Sequence, residues 1–162
     1  MGANMTEAAS AVPQQAIPVG IKGWLILPAI GTVASPIYLV IAIFGMQPTL
    51  EKVWAARSAL STGLLTFVAV EFVLNIAFVL GWIAAIFLLI SKSPYYPKAY
   101  IVLMVGMVIF LAADMIISAG AYNHQPDQSD LLSLARTAVV AAIWCPYMLL
   151  SKRVKNTFVT KA

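Results

Sequence analysis

The stretch Gly81-Trp82-Ile83-Ala84-Ala85-Ile86-Phe87-Leu88-Leu89-Ile90 decides the fold. It carries no charge and does not alternate between apolar and polar residues. Inside a bilayer every backbone N–H and C=O must be paired within the protein, which leaves only helices and closed barrels. A membrane strand alternates with a period of two, and this stretch does not. It is therefore helical, and it closes a longer apolar run that begins at about Gly63. A hydrocarbon core about 30 Å thick needs about 20 helical residues at 1.5 Å each, and this run exceeds that.

Working outward, three further runs meet the same length: Trp24 to Met46, Ala99 to Tyr122, and about Leu131 to Leu150. The 162 residues are 62% apolar and only 10% charged, with a mean hydropathy of +0.92. Soluble domains carry about a quarter charged residues. That contrast excludes an ordinary soluble domain and a disordered chain. The net charge of +4 does not point to nucleic acid, because the basic residues are few and not gathered into a soluble module. The expected fold is an all-α membrane protein with four transmembrane helices. Short connections predict an up-and-down antiparallel bundle. Residues 1–20 read as a polar tail, 21–151 as the transmembrane domain and 152–162 as a basic tail.

Orientation follows from Lys and Arg. One side holds Lys22, Lys92, Lys98, Lys152, Arg153, Lys155 and Lys161, whereas the other holds Lys52 and Arg57. Both termini are expected in the cytoplasm, with the basic tail Lys152, Arg153 and Lys155 facing anionic lipid. Trp24, Tyr95, Tyr96, Tyr100 and Tyr147 fall near the inner boundary, and Trp54 and Tyr122 near the outer one. Tyr and Trp suit that zone because each joins an apolar ring to a polar tip. The first twenty residues lack the pattern of a cleavable signal, so the first span is expected to serve as an uncleaved one. The opening Met1-Gly2 matches the loose myristoylation pattern only weakly.

The tail from Ser151 to Val159 is expected to continue the fourth helix into the headgroup layer, with Phe158 dipping into the interface. Pro48 and Thr49 are placed to start a short helix in the first outer loop, expected to lie flat on the surface. The loop from Asn123 to Asp130, with His124, Asp127 and Asp130, reads as a solvated turn. One His and two loosely spaced carboxylates do not make a metal site.

Three ionisable residues lie inside spans: Glu71, Asp114 and Arg136. Each falls about 7 to 12 Å along its helix from the outer boundary at 1.5 Å per residue. An intramembrane charge costs about 2.5 to 3.5 kcal/mol on insertion scales, which makes it a functional hypothesis by default. Similar depth on neighbouring helices predicts one polar cluster of Glu71, Asp114 and Arg136, with an intramembrane salt bridge. Asn75, four residues after Glu71, shares its face. Three readings stay open: a structural clamp, a transport or proton-relay site, and independent snorkelling of the three. A clamp predicts acids sealed by Arg136 and Asn75; transport predicts a water path to them.

Ala77, Gly81 and Ala85 form a ridge of small residues, as do Ala138 and Ala142, suited to close helix packing. Pro36 should kink the first span. One cysteine, Cys145, excludes a dithiol oxidoreductase. One histidine, His124, excludes bis-histidine haem between helices, and no Ser-His-Asp set or phosphate-cradling glycine motif is present. Met104, Met107 and Met115 read as core filler. No cofactor or metal is expected.

Several stretches carry a family resemblance. Ile21-Lys22-Gly23-Trp24-Leu25-Ile26-Leu27-Pro28 opens the first span, and Glu71-Phe72 with Asn75 lies in the second. Tyr96-Pro97-Lys98-Ala99-Tyr100 opens the third, and Leu134-Ala135-Arg136, Trp144-Cys145-Pro146-Tyr147 and Ser151-Lys152-Arg153-Val154-Lys155-Asn156-Thr157-Phe158-Val159 close the chain. From Ile21 onward the chain resembles the bacterial inner-membrane family catalogued as domain of unknown function 2569. The resemblance implies a four-helix, multi-pass protein of the bacterial inner membrane. It places acids, an Asn and an Arg where Glu71, Asn75, Asp114 and Arg136 stand. Cys145 stands where the family more often has an aliphatic residue. The expectation is a non-enzymatic structural or accessory protein that binds a membrane-protein partner, a lipid or a second copy of itself. The alternative is a small oligomeric proton-coupled transporter or channel using the intramembrane acids.

Overall fold

The computed structural model describes residues 20–122 and 125–158, and the described residues are helical with no strands. A 3₁₀ turn at Gly23–Leu25 leads into α1 (Ile26–Gly45), followed by α2 (Gln47–Ala55), α3 (Thr62–Ile90), α4 (Tyr96–Tyr122), α5 (Gln128–Leu150) and α6 (Lys152–Thr157). Four helices are long and apolar enough to cross a membrane. His124 and residues 1–19 lie outside the described residues.

Helix ends follow local chemistry. Ser61 caps α3 by accepting the Leu64 N–H at 3.3 Å, and Pro97 sits in the first turn of α4, where its missing N–H costs nothing. The α5 start corrects the expectation of a plain turn. Asp127 accepts the Asp130 N–H, and Asp130 accepts the Asp127 N–H, each at 3.0 Å. This reciprocal capping box satisfies two orphan donors. At the end of α3, Lys92 adopts φ of 51°. Its N–H reaches Leu89 O at 3.1 Å and the Ser93 N–H reaches Leu88 O at 2.9 Å. That is a Schellman ending with a lysine where glycine is usual.

α2 is helical, as Pro48 and Thr49 suggest, but it does not start afresh. The Met46 N–H bonds Ala42 O, and the Leu50 N–H bonds Met46 O. The four-residue ladder thus runs through the junction, and α2 extends α1 rather than forming a separate surface helix.

Packing proceeds from α1 to α3, α3 to α4, and α4 to α5. α3 and α4 are antiparallel neighbours, as their ring pairs show. Phe67 meets Tyr122 at 5.3 Å, Phe78 meets Phe110 at 5.6 Å, and Trp82 meets Tyr100 at 5.7 Å. Gly81 permits this approach, because a Cβ there would lie 2.6 Å from Leu103 Cδ2. Ala85 is buried, but Ala77 is exposed, so only part of the small-residue ridge packs inside.

The fully buried side chains gather at one end. Leu25, Pro28, Thr32, Trp82, Tyr96, Met148 and Val154 are all nearly inaccessible. We call this end the base. Here the structure corrects the expected course of the tail. At Ser151 the backbone turns extended, with φ of −65° and ψ of 121°. α6 then folds back beneath the bundle instead of prolonging α5. Phe158 does not reach into an interface: its ring lies 4.7 Å from that of Tyr96, and it is 5% exposed. The Gly20 N–H donates to Thr157 Oγ1 at 2.9 Å, joining the two described ends of the chain. Tyr96 also binds α1. Thr32 Oγ1 donates to Pro28 O at 2.8 Å, which commits its only proton. The Tyr96 hydroxyl, 2.8 Å from Thr32 Oγ1, must therefore be the donor in that second bond.

Two predictions follow from these geometries. Lys92→Gly should stabilise the protein by about 0.5–1 kcal/mol, because the left-handed backbone costs an L-residue more than glycine loses in chain entropy. Phe158→Ala should cost about 3 kcal/mol through the cavity it leaves. Reversible unfolding in mixed micelles measures both.

Candidate functional site

Away from the base the helices separate. A cleft of about 500 Å³ is walled by α1 (Gly31 to Ala42) and α5 (Asp130 to Val140), with α3 and α4 behind. Its existence follows from the packing order, since α1 and α5 stand at the two ends of the row. The deep part is lined by Trp82, Tyr100, Met104, Met107 and Phe110, and the part nearer the α4–α5 connection by Asp114, Asp130 and Arg136. Met104 and Met107 thus line a cavity as well as filling space. Asn75 lies on the wall and is 8% exposed.

The structure brings together part of the anticipated cluster. Asn75, Asp114 and Arg136 line the same cleft. Glu71 is half-buried, and Asp114 is near enough for the two carboxylates to interact electrostatically. The anticipated bonding differs. Among the described residues no salt bridge forms. Asn75 Nδ2 donates to Glu71 O, the backbone carbonyl one turn earlier, at 3.0 Å. It does not donate to a carboxylate. Asp114 lines the cleft, as does Arg136, whose side chain is exposed. The physical reason is reach. Similar depth does not bring Glu71 and Arg136 together, because α5 stands at the end of the row and α4 separates it from α3.

The remaining residues singled out from the sequence are scattered. Lys152 and Lys155 are exposed on α6 and Arg153 is half-buried. The Arg153 guanidinium carbon would lie 4.0 Å from a Cβ placed on Gly23. Trp24 and Trp54 are exposed, and Arg57 stacks over the Trp54 ring at 4.7 Å. Tyr147 packs edge-on against Trp144 at 5.5 Å. Among the described residues no group of three or more His, Cys, Asp or Glu side chains is placed to hold a metal. Sequence reasoning missed Trp82 and Tyr100 as lining residues. It treated the first as part of an apolar run and the second as an interface anchor. The signal available was their pairing across an antiparallel hairpin, Trp82 eight residues before the end of α3 and Tyr100 four after the start of α4.

The fold and cleft define a four-helix membrane-type protein with a cleft between its first and last long helices. The model of the family described as "Protein of unknown function (DUF2569)" matches residues 18–159. The chain belongs to that family. No match was found among curated proteins or among solved structures.

A guanidinium that makes no salt bridge among the described residues gives a sharp prediction. Breaking a buried ion pair costs about 3–5 kcal/mol. Arg136→Gln should show no loss of that size in unfolding experiments in mixed micelles.

Proposed function

We propose that this is a non-enzymatic accessory protein of the bacterial inner membrane that binds a membrane-soluble amphiphile of the lipid class in the cleft between α1 and α5. The proposal includes an up-and-down bundle with both termini in the cytoplasm and the α6 cations against anionic lipid. The observation that carries it is the cleft itself. A cavity of about 500 Å³ lies within the range of small-molecule sites. Its wall is mostly apolar, with polar groups at one end. A molecule with an apolar body fits such a wall, and one resident in the bilayer reaches it without crossing water. A protein partner would need a broad apolar face instead, and the exposed apolar side chains, such as Ile37, Val73, Val102 and Ile143, are spread over all four long helices as lipid contact requires.

Purification in mild detergent followed by mass spectrometry should recover a bound amphiphile. Ala34→Trp, which places an indole on the cleft wall, should lose it while the protein stays folded. Retention of the same molecule by this variant would overturn the reading. For the topology, a periplasm-dependent phosphatase fused after Ser58 should be active and one fused after Ala162 inactive.

The transport reading keeps one observation in its favour: Asp114 lines the cleft instead of being shut away. It predicts flux through the parent protein in liposomes, recorded with a pH-sensitive dye, and its loss in Glu71→Gln and Asp114→Asn. A parent protein without flux counts against it.

A further inference from the structure

We propose that the deep end of the cleft is a subsite for a carbonyl oxygen, received by the indole N–H of Trp82 and the hydroxyl of Tyr100. This rests on the cleft being an amphiphile site and names the chemistry of what enters it. Both side chains line the cleft, and each is 2% exposed. Their rings stand 5.7 Å apart at 79°. The Trp82 Nε1 is buried with no hydrogen-bond partner. No partner bonds the Tyr100 hydroxyl among the described residues either, whereas Tyr96, one turn earlier on α4, has satisfied its own through Thr32. Folded proteins leave few buried polar groups unpaired, and the exceptions call for an explanation. Trp82 Nε1 is such an exception, and the Tyr100 hydroxyl, on the same cleft wall, is a second donor that can share its acceptor.

The chemistry of the pair narrows the ligand. An indole N–H is a donor only, so the missing partner must be an acceptor. The surroundings are Met104, Met107 and Phe110, which would penalise an ionised acceptor lacking a counter-charge. The charged lining residues stand far off: fourteen residues of α4 separate Tyr100 from Asp114, about 21 Å at 1.5 Å per residue. A neutral carbonyl on an apolar body is what remains. Since Nε1 is covered, the indole must adjust when the carbonyl arrives, a side-chain change of the ordinary kind on binding.

Two membrane components carry such a group: the ring carbonyl of a quinone and the ester carbonyl of a glycerolipid. Distance favours the quinone. A glycerolipid ester lies close to its own phosphate, so a lipid whose head sat at Arg136 could not place an ester beside Tyr100. One whose head lay at the other end would meet the base closed by α6. A quinone ring can enter between α1 and α5 and leave its tail in the bilayer.

The test uses the whole protein in nanodiscs of dialkyl-ether phosphatidylethanolamine, which contains no carbonyl, with decylubiquinone as the probe and thermal midpoint as the readout. The parent should be stabilised in a saturable way. Tyr100→Phe and Trp82→Phe, each judged against its own ligand-free midpoint, should bind about fivefold more weakly, the size of one ordinary hydrogen bond. Ala34→Trp should not bind. Stabilisation by diester but not diether lipid, lost in both variants, would uphold the carbonyl subsite and assign it to a glycerolipid. Unchanged affinity in Tyr100→Phe and Trp82→Phe, with binding still blocked by Ala34→Trp, would overturn the subsite and leave the cleft reading intact. No stabilisation of the parent by either carbonyl source would overturn the subsite. If Ala34→Trp also keeps the native amphiphile, the cleft reading falls with it.

Discussion

The Tyr96 side chain is the constraint on which the rest of the structure depends. It is fully buried, its hydroxyl donates to Thr32 on α1, and its ring packs on Phe158 beyond α6. One residue at the start of α4 therefore holds the first helix and the last. A buried hydroxyl must find a partner or lose about 1–3 kcal/mol, so the bond to Thr32 fixes where α1 can lie. Pro36 reinforces the node. It is buried in α1 and lacks the N–H that would bond the Thr32 carbonyl, which leaves polar capacity at that turn.

Closing the base has a consequence at the other end. Helices that pack in the order α1, α3, α4, α5 form a row, and α6 draws its ends together only beneath. Toward the loops no hydrogen bond or salt bridge among the described residues ties α1 to α5, and the cleft occupies the gap. Helix association in lipid gains little from apolar contact alone, because lipid tails are as apolar as the side chains. Close approach of α3 and α4 at Gly81 supplies the packing there. α1 has Thr32 and the short tail instead, both at the base. The asymmetry of the protein is thus an asymmetry of where polar and small residues fall along its helices.

Much of this was legible in the residues. Hydropathy and length gave four helices, and Pro48 with Thr49 marked α2. The helix starts were less visible. α4 begins at Tyr96 and α5 at Gln128, ahead of the apolar runs, because Pro97 and the Asp127–Asp130 box set the first turns rather than hydropathy. The tail misled for a related reason: Lys152, Arg153 and Lys155 read as a surface segment, while Val154, Thr157 and Phe158, on the remaining positions, bury. The polar cluster was legible only as depth. Depth places Glu71, Asp114 and Arg136 in one layer, but the order of helices decides which side chains meet, and a single sequence does not disclose that order. Trp82 and Tyr100 matter through a pairing between helices, which periodicity along one helix does not register.

The central claim is that α6 and Phe158 are docked under Tyr96 and close the base. A six-residue helix such as α6 is too short to hold its own hydrogen bonds in water, so slow exchange there reports docking. Hydrogen–deuterium exchange of the whole protein in nanodiscs reads this at the Lys155 and Phe158 amides, which bond Ser151 O and Val154 O. Slow exchange in the parent and fast exchange in Tyr96→Ala is the result the account predicts. Exchange of these two amides in the parent at the rate of an unstructured peptide would contradict it.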